Sequence, residues 1–99
     1  MGAHFLRLLE EQHAHTVLIR LSEKPGVLRS ELYQRVIKEG ASNSTAVKRV
    51  NELIGAGLVR VEPSKTHKSG QYLFLTEQGQ QIAELVIEIE RIMENQNVQ

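Results

Sequence analysis

Residues 42 to 61, SNSTAVKRVNELIGAGLVRV, decide how the rest of this chain is read. The stretch opens on residues that cap helices, Ser42, Asn43 and Ser44, whose short polar side chains satisfy free N–H groups of a first turn. It then runs about three turns and breaks at Gly55 and Gly57 into the apolar piece Leu58-Val59. Each helical residue advances about 100°. Ala46, Val50, Leu53 and Ile54 therefore share one side, while Ser44, Thr45, Lys48, Asn51 and Glu52 share the other, with Arg49 at the margin. A chain of zero net charge here sets two adjacent cations mid-helix, and the flanking sequence must show what they face.

Upstream, residues 3–22 form a helical pattern, as one long helix or two short ones divided by EEQHAH. Lys24-Pro25-Gly26 ends it, because proline lacks an N–H and glycine accepts turn geometry. In VLRSELYQRVIKEG the apolar residues Leu28, Leu32 and Val36 recur every fourth position, one stripe of a helix that Gly40 closes. Only four or five residues join it to the next helix, a helix-turn-helix spacing. Downstream the period changes. Residues 58–62 and QYLFL at 71–75 read as strands around the polar turn PSKTHKSG, hence a hairpin with Tyr72 and Phe74 on one face. From Thr76, a plausible cap, TEQGQQIAELVIEIERIMENQ returns to helix, although Gly79 weakens its first turn.

Ninety-nine residues are expected to make a single domain, 1–99, with a core and hairpin over 13–75 and terminal helices over 1–12 and 76–99. Aromatic residues are 4% of the chain, so its core rests on Leu, Ile and Val. The absence of cysteine removes disulfides, thiolate catalysis and cysteine-ligated zinc, and fits a cytoplasmic protein. MGAHFLRLLEE does not follow a secretory-signal pattern, and no apolar run reaches membrane-spanning length. Residues 20–70 carry ten Lys and Arg against five Glu, whereas residues 76–99 carry one Arg against five Glu. The neutral total thus hides a basic middle and an acidic end.

In this order of elements, STAVKRVNELIGAGLV (44–59) and LFLTEQGQQIAELV (73–86), with the LYQRVIKEG helix, resemble the winged helix-turn-helix of MarR-like and PadR-like transcriptional regulators. The likeness covers roughly residues 13–90. It implies a mainly α fold with a small β-hairpin and an extended C-terminal dimerisation helix. It also implies DNA contacts from Ser44, Thr45, Val47 and Lys48 at the start of the third helix, beside which Asn43 is a further candidate. Small polar residues there let the backbone approach base edges in the major groove, and Val47 can touch a thymine methyl. Lys48 or Arg49 can read guanine or bind phosphate, and Asn51 lies one turn on. The wing tip adds Lys65, Thr66, His67, Lys68 and Ser69, supported by Arg60. Arg29 and Ser30 suit phosphate contacts that fix register. Seen singly, a Lys-Arg pair is a solvated face and a KTHKSG loop a polar turn. Both stand together here on the two elements that a winged helix offers to DNA.

The stripe Ile82, Leu85, Val86, Ile89, Ile92 and Met93 is wider than so small a body needs. Part of it is expected to pack on the body and the remainder, with Phe5, Leu6, Leu8 and Leu9, on a second copy; the other reading is that the terminal helices cover each other. A two-fold dimer would read a palindromic duplex. No enzyme signature or cofactor motif occurs. His13 and His15 diverge by about 200° on a helix and cannot chelate one metal. No polar constellation marks a small-molecule effector site. The expected function is therefore a homodimeric, sequence-specific double-stranded DNA-binding regulator, a repressor by family analogy. The alternatives are a protein-interaction winged helix, which the zero net charge favours, and a non-specific architectural DNA binder.

Overall fold

The computed structural model describes residues 11–24, 26–66 and 70–97, with side chains to residue 95. Along the chain stand α1 (Ala14–Glu23), β1 (Val27–Leu28), α2 (Arg29–Lys38), α3 (Asn43–Gly55), β2 (Val59–Pro63), β3 (Gln71–Leu75) and α4 (Glu77–Asn97). Phe5, Leu6, Leu8 and Leu9 lie outside the described residues, so only the second half of the 3–22 pattern is seen as α1.

α3 begins where the capping residues put it. Ser42 Oγ accepts the Thr45 N–H at 3.1 Å and donates to Thr45 Oγ1 at 2.9 Å. The helix ends on Gly57, whose φ of +80° is open to glycine at little cost. The Gly57 N–H bonds the Ile54 carbonyl at 3.1 Å and the Leu58 N–H bonds Leu53 at 3.0 Å. This paired closure satisfies carbonyls that the helix end leaves free. Gly40 ends α2 with the same pattern.

The sheet has three strands, in the order β1-β3-β2, all antiparallel. The hairpin of β2 and β3 agrees with the sequence reading, its register running from Val59 opposite Leu75 to Pro63 opposite Gln71. β1 is a correction. Val27 and Leu28 leave the helical stripe, pair with Leu73 and Tyr72, and hand over to α2 only at Arg29. Two residues are too few to leave an alternating signal, and the four-residue spacing of Leu28, Leu32 and Val36 runs straight across the boundary.

Leu18 and Leu21 of α1, Leu32 and Val36 of α2, Val50 and Leu53 of α3, and Leu73 of β3 are fully buried in one cluster with Leu58. α1 sits in the middle, against α2, α3, α4 and β3. At its end Arg20 donates to both Glu39 carboxylate oxygens, at 2.7 and 2.8 Å, and to Glu23 at 2.7 Å. That hydrogen bonding holds the Glu39 carboxyl below its ordinary pKa and raises that of Arg20.

α4 is anchored on the turn that closes α3. Thr76 Oγ1 donates to the Gly57 carbonyl at 2.7 Å and accepts the Gly79 N–H at 3.0 Å. The Thr76 N–H bonds the Leu58 carbonyl at 3.0 Å. Gly79 is buried here because nothing larger fits: a Cβ on it would stand 2.0 Å from the Leu58 carbonyl oxygen. Beyond this anchor the broad apolar stripe of α4 divides in two. Ala83 and Val86 are buried in the chain's own core, with Ile82 packed against it. Val86 is thus covered within the chain, while Ile82 is half-buried against the same core. Leu85, Ile89, Ile92 and Met93 remain exposed, at 64%, 60%, 45% and 53%.

Arg49 needs the second correction. It does not stand at the outward margin of α3 but is only 7% exposed. Its Nε donates to the Gln12 carbonyl at 2.9 Å, Nη2 to Glu11 at 3.3 Å and Nη1 to Glu52. It thereby pins the entry of α1, where His13 adopts a left-handed φ of +69°, to the back of α3. A cation at a stripe margin can turn either way, and here two glutamates and a free carbonyl draw it inward.

Three substitutions separate these readings by urea unfolding. Helix propensity alone makes Gly79→Ala stabilising by about 1 kcal/mol. The clash with Leu58 makes it destabilising by about 2 kcal/mol or more, and that is the expected result. Arg49→Met should cost about 2 kcal/mol through the lost charged hydrogen bonds, whereas Lys48→Ala should stay within about 0.5 kcal/mol. Equal, near-zero effects at both positions would return Arg49 to the free surface.

Candidate nucleic-acid interface

The outward side of α3 carries Asn43, Ser44, Lys48 and Asn51, all exposed. Thr45 and Val47 flank them half-buried. Thr45 is not wholly free, because its hydroxyl oxygen accepts from Ser42 and so belongs partly to the cap. Ser44 Oγ lies 3.2 Å from the same Ser42 hydroxyl. Small hydroxyls at a helix start leave the backbone open to close approach, and Lys48 projects from the next turn.

The first turn of α2 stands beside this face. Arg29 Nη1 donates to Asn51 Oδ1 at 3.1 Å and to Tyr33 Oη at 3.1 Å. Arg29 Nε is buried and, among the described residues, has no partner. Arg29 also lines a shallow cleft of about 210 Å³ together with Leu28, Ser30, Tyr33, Gly70 and Gln71. Gly70 and Gln71 form the base of the wing, where the Gly70 carbonyl accepts the Ser64 N–H at 2.9 Å. Arg29 thus touches α3 on one side and adjoins the wing on the other. Tyr33 and Gln71 escaped the sequence reading. Tyr33 was within reach, since a residue four positions after Arg29 lies on the same helical face.

Of the wing residues, Lys65 and Thr66 are exposed, with the Thr66 N–H bonded to Ser64 Oγ at 3.2 Å. His67, Lys68 and Ser69 lie outside the described residues. Arg60 is exposed on β2, but its guanidinium pairs with Glu62 and sits 4.3 Å from the centre of the Phe74 ring. Its charge is largely spent within the sheet, so it steadies the wing strands rather than offering a free cation.

The pattern of ion pairs localises the basic surplus. Arg20, Lys24, Arg35, Arg49 and Arg60 each pair with a glutamate. Lys38, Lys48, Lys65 and Arg29 join no ion pair among the described residues. Three of these four stand on the α3 face, the wing and the α2 first turn. The acidic α4 pairs Arg91 with Glu88 and leaves its other glutamates exposed. No group of His, Asp or Glu among the described residues could hold a metal ion. No helix among them is long and apolar enough to cross a membrane.

No protein-family model and no curated protein sequence matches the chain. Solved structures do. It is similar to an uncharacterized SlyA-like transcription regulator from Listeria monocytogenes, with a TM-score of 0.81 at 25% identity, over 96% of this chain and 61% of that one. It is similar to a MarR protein from Peptoclostridium difficile, with a TM-score of 0.74 at 29% identity, over 90% of this chain and 56% of that one. A third likeness is to a protein described as a MarR family transcriptional regulator, again from Listeria monocytogenes, solved with a 26mer DNA. There the TM-score is 0.80 at 25% identity, over 96% of this chain and 61% of the other. The chain spans about three fifths of the length of these neighbours. Its structural neighbours are therefore MarR-family winged-helix transcriptional regulators, and it carries their winged helix-turn-helix fold.

Proposed function

We propose that this chain is a non-catalytic regulator of transcription, a repressor acting in the cytoplasm, that binds palindromic double-stranded DNA as a homodimer. One observation carries the reading. Lys48, the cation without an ion pair on α3, stands exposed between Ser44 and Asn51 on one outward face, beside Arg29 and the wing base. A helix with such a face fits the major groove, about 12 Å wide. Ser44, Lys48 and Asn51 would meet base edges or phosphates there. Lys65, with the 67–69 tip, would follow the backbone or minor groove, and Ser30 the phosphates. Two of the structural neighbours, the Listeria protein with its 26mer and FabT of Streptococcus pneumoniae, were solved with DNA.

The exposed Leu85, Ile89 and Ile92 supply the second copy. Spaced four and three residues apart, they form one stripe on α4 beside the stripe that the core covers. Pairing across it would place two α3 helices on one duplex. The acidic α4 would then lie away from the phosphates, which lets a neutral chain bind DNA.

Mobility shifts on genomic fragments at two salt concentrations, with sedimentation equilibrium, test this directly. Binding should appear at low salt and weaken steeply as salt rises. Lys48→Ala with Lys65→Ala should weaken it about tenfold or more. Leu85→Glu with Ile89→Glu should yield monomers that lose the two-site duplex. Absence of binding at low salt, or binding unmoved by the lysine substitutions, would favour a protein-interaction role. Equal affinity for every duplex would make the protein an architectural binder instead.

A further inference from the structure

Arg29 has two descriptions. At the start of a helix beside DNA it is a phosphate anchor, which positions a protein without reading sequence. Its contacts describe something else. One nitrogen, Nη1, serves both Tyr33 Oη and Asn51 Oδ1, each at 3.1 Å. Nε is buried without a partner among the described residues. A buried, unmatched N–H is an uncompensated cost. It is tolerated where the guanidinium is held by its other contacts, one within α2 at Tyr33 and one on α3 at Asn51.

The chemistry of the pair fixes the amide. A guanidinium has five donors and no acceptor, so the oxygen of Asn51, never its nitrogen, must face Arg29. The amide N–H groups are then turned away from α2. Asn51 is exposed, and it continues the outward row of Ser44 and Lys48. Its presented groups are therefore donors, and their direction is set by a residue on another helix. Tyr33, one turn along α2 from Arg29, accepts from the same Nη1 and so helps to hold the guanidinium.

We infer that Arg29 is a positioning residue for sequence recognition. By holding the Asn51 oxygen it aims the Asn51 N–H groups at an acceptor on a base edge, and it sets specificity at that base without touching it. The acceptors available in the major groove are purine N7, guanine O6 and thymine O4, while cytosine offers only its amino donor. Asn51 thus disfavours cytosine at the position it meets. This inference rests on the DNA-binding reading above and deepens it.

Selection of bound duplexes from a random pool tests it, with the wild type, Asn51→Ala, Arg29→Met, Arg29→Lys and the Arg29→Met/Asn51→Ala double variant. The wild type should show a position from which cytosine is excluded. That preference should fall about tenfold in Asn51→Ala and in Arg29→Met, at the same position, with no further fall in the double variant. Arg29→Lys keeps the charge but loses the planar fork, so it too should lose the preference at that position. It also serves if Arg29→Met fails to fold. A DNA-free readout accompanies the selection: the side-chain amide resonances of Asn51 should shift in Arg29→Met.

Uniform loss of affinity on all duplexes with the base preference intact would make Arg29 a phosphate anchor and overturn the inference alone. So would unmoved Asn51 amide resonances. A wild type that selects no sequence at all would overturn the DNA-binding reading, and this inference with it.

Discussion

The contact between Gly79 and the Leu58 carbonyl is the constraint on which the arrangement turns. Three elements meet at that point. The end of α3 is closed by Gly57 and Leu58, β2 leaves from the next residue, and α4 begins on Thr76, whose hydroxyl and N–H bond Gly57 and Leu58. Only a residue without a Cβ lets α4 come this close. The direction of α4 is thereby referred to the C-terminus of α3 itself, with almost no intervening chain. In a dimer built on the outer stripe of α4, the spacing of the two α3 helices would follow from this joint. The same joint fixes both wing strands, because β2 departs from it and β3 arrives at it.

Electrostatics does the remaining sorting. A neutral chain presents a cationic face where some cations stay unpaired and its surplus carboxylates lie elsewhere, as on α4. Arg20 spans α1 and the end of α2, Lys24 and Arg35 share Glu31, Arg49 is drawn inward, and Arg60 lies between Glu62 and Phe74. Most of these pairs are exposed and contribute little to stability. Their consequence is where they leave charge unspent: at Lys48, Lys65 and Arg29, with Lys38 apart from them. Among the described residues the one buried cation, Arg49, is also the one whose loss the fold should feel.

Much of this was legible in the residues. The helix-turn-helix spacing, the Ser42 cap, the glycine stops at Gly40 and Gly57 and the 71–75 strand all follow from local chemistry that the structure repeats. What escaped depends on tertiary contact. Gly79 reads as a weak helix residue until Leu58 is placed beside it. The β1 strand is two residues long and hides under a continuing helical period. Arg49 lies at a stripe margin, where a 100° periodicity cannot choose between solvent and the Gln12 carbonyl 37 residues away. The α4 stripe reads as one broad face because inner and outer apolar rows lie side by side. Only the packing of α1 against α4 tells which row is taken. Among the candidate contact residues, the row of Ser44, Lys48 and Asn51 was evident from periodicity. The Arg29–Asn51 pair was not, since it joins residues 22 positions apart.

The central claim is that the outer face of α3, the first turn of α2 and the wing form one surface that meets DNA. An amide NMR titration of the wild-type protein with a selected duplex tests it most directly. Shifts should gather at residues 29–30, 44–51 and 64–70, with α4 beyond Val86 unmoved by the duplex. Shifts centred on α4, or scattered over the molecule without focus on α3, would contradict it.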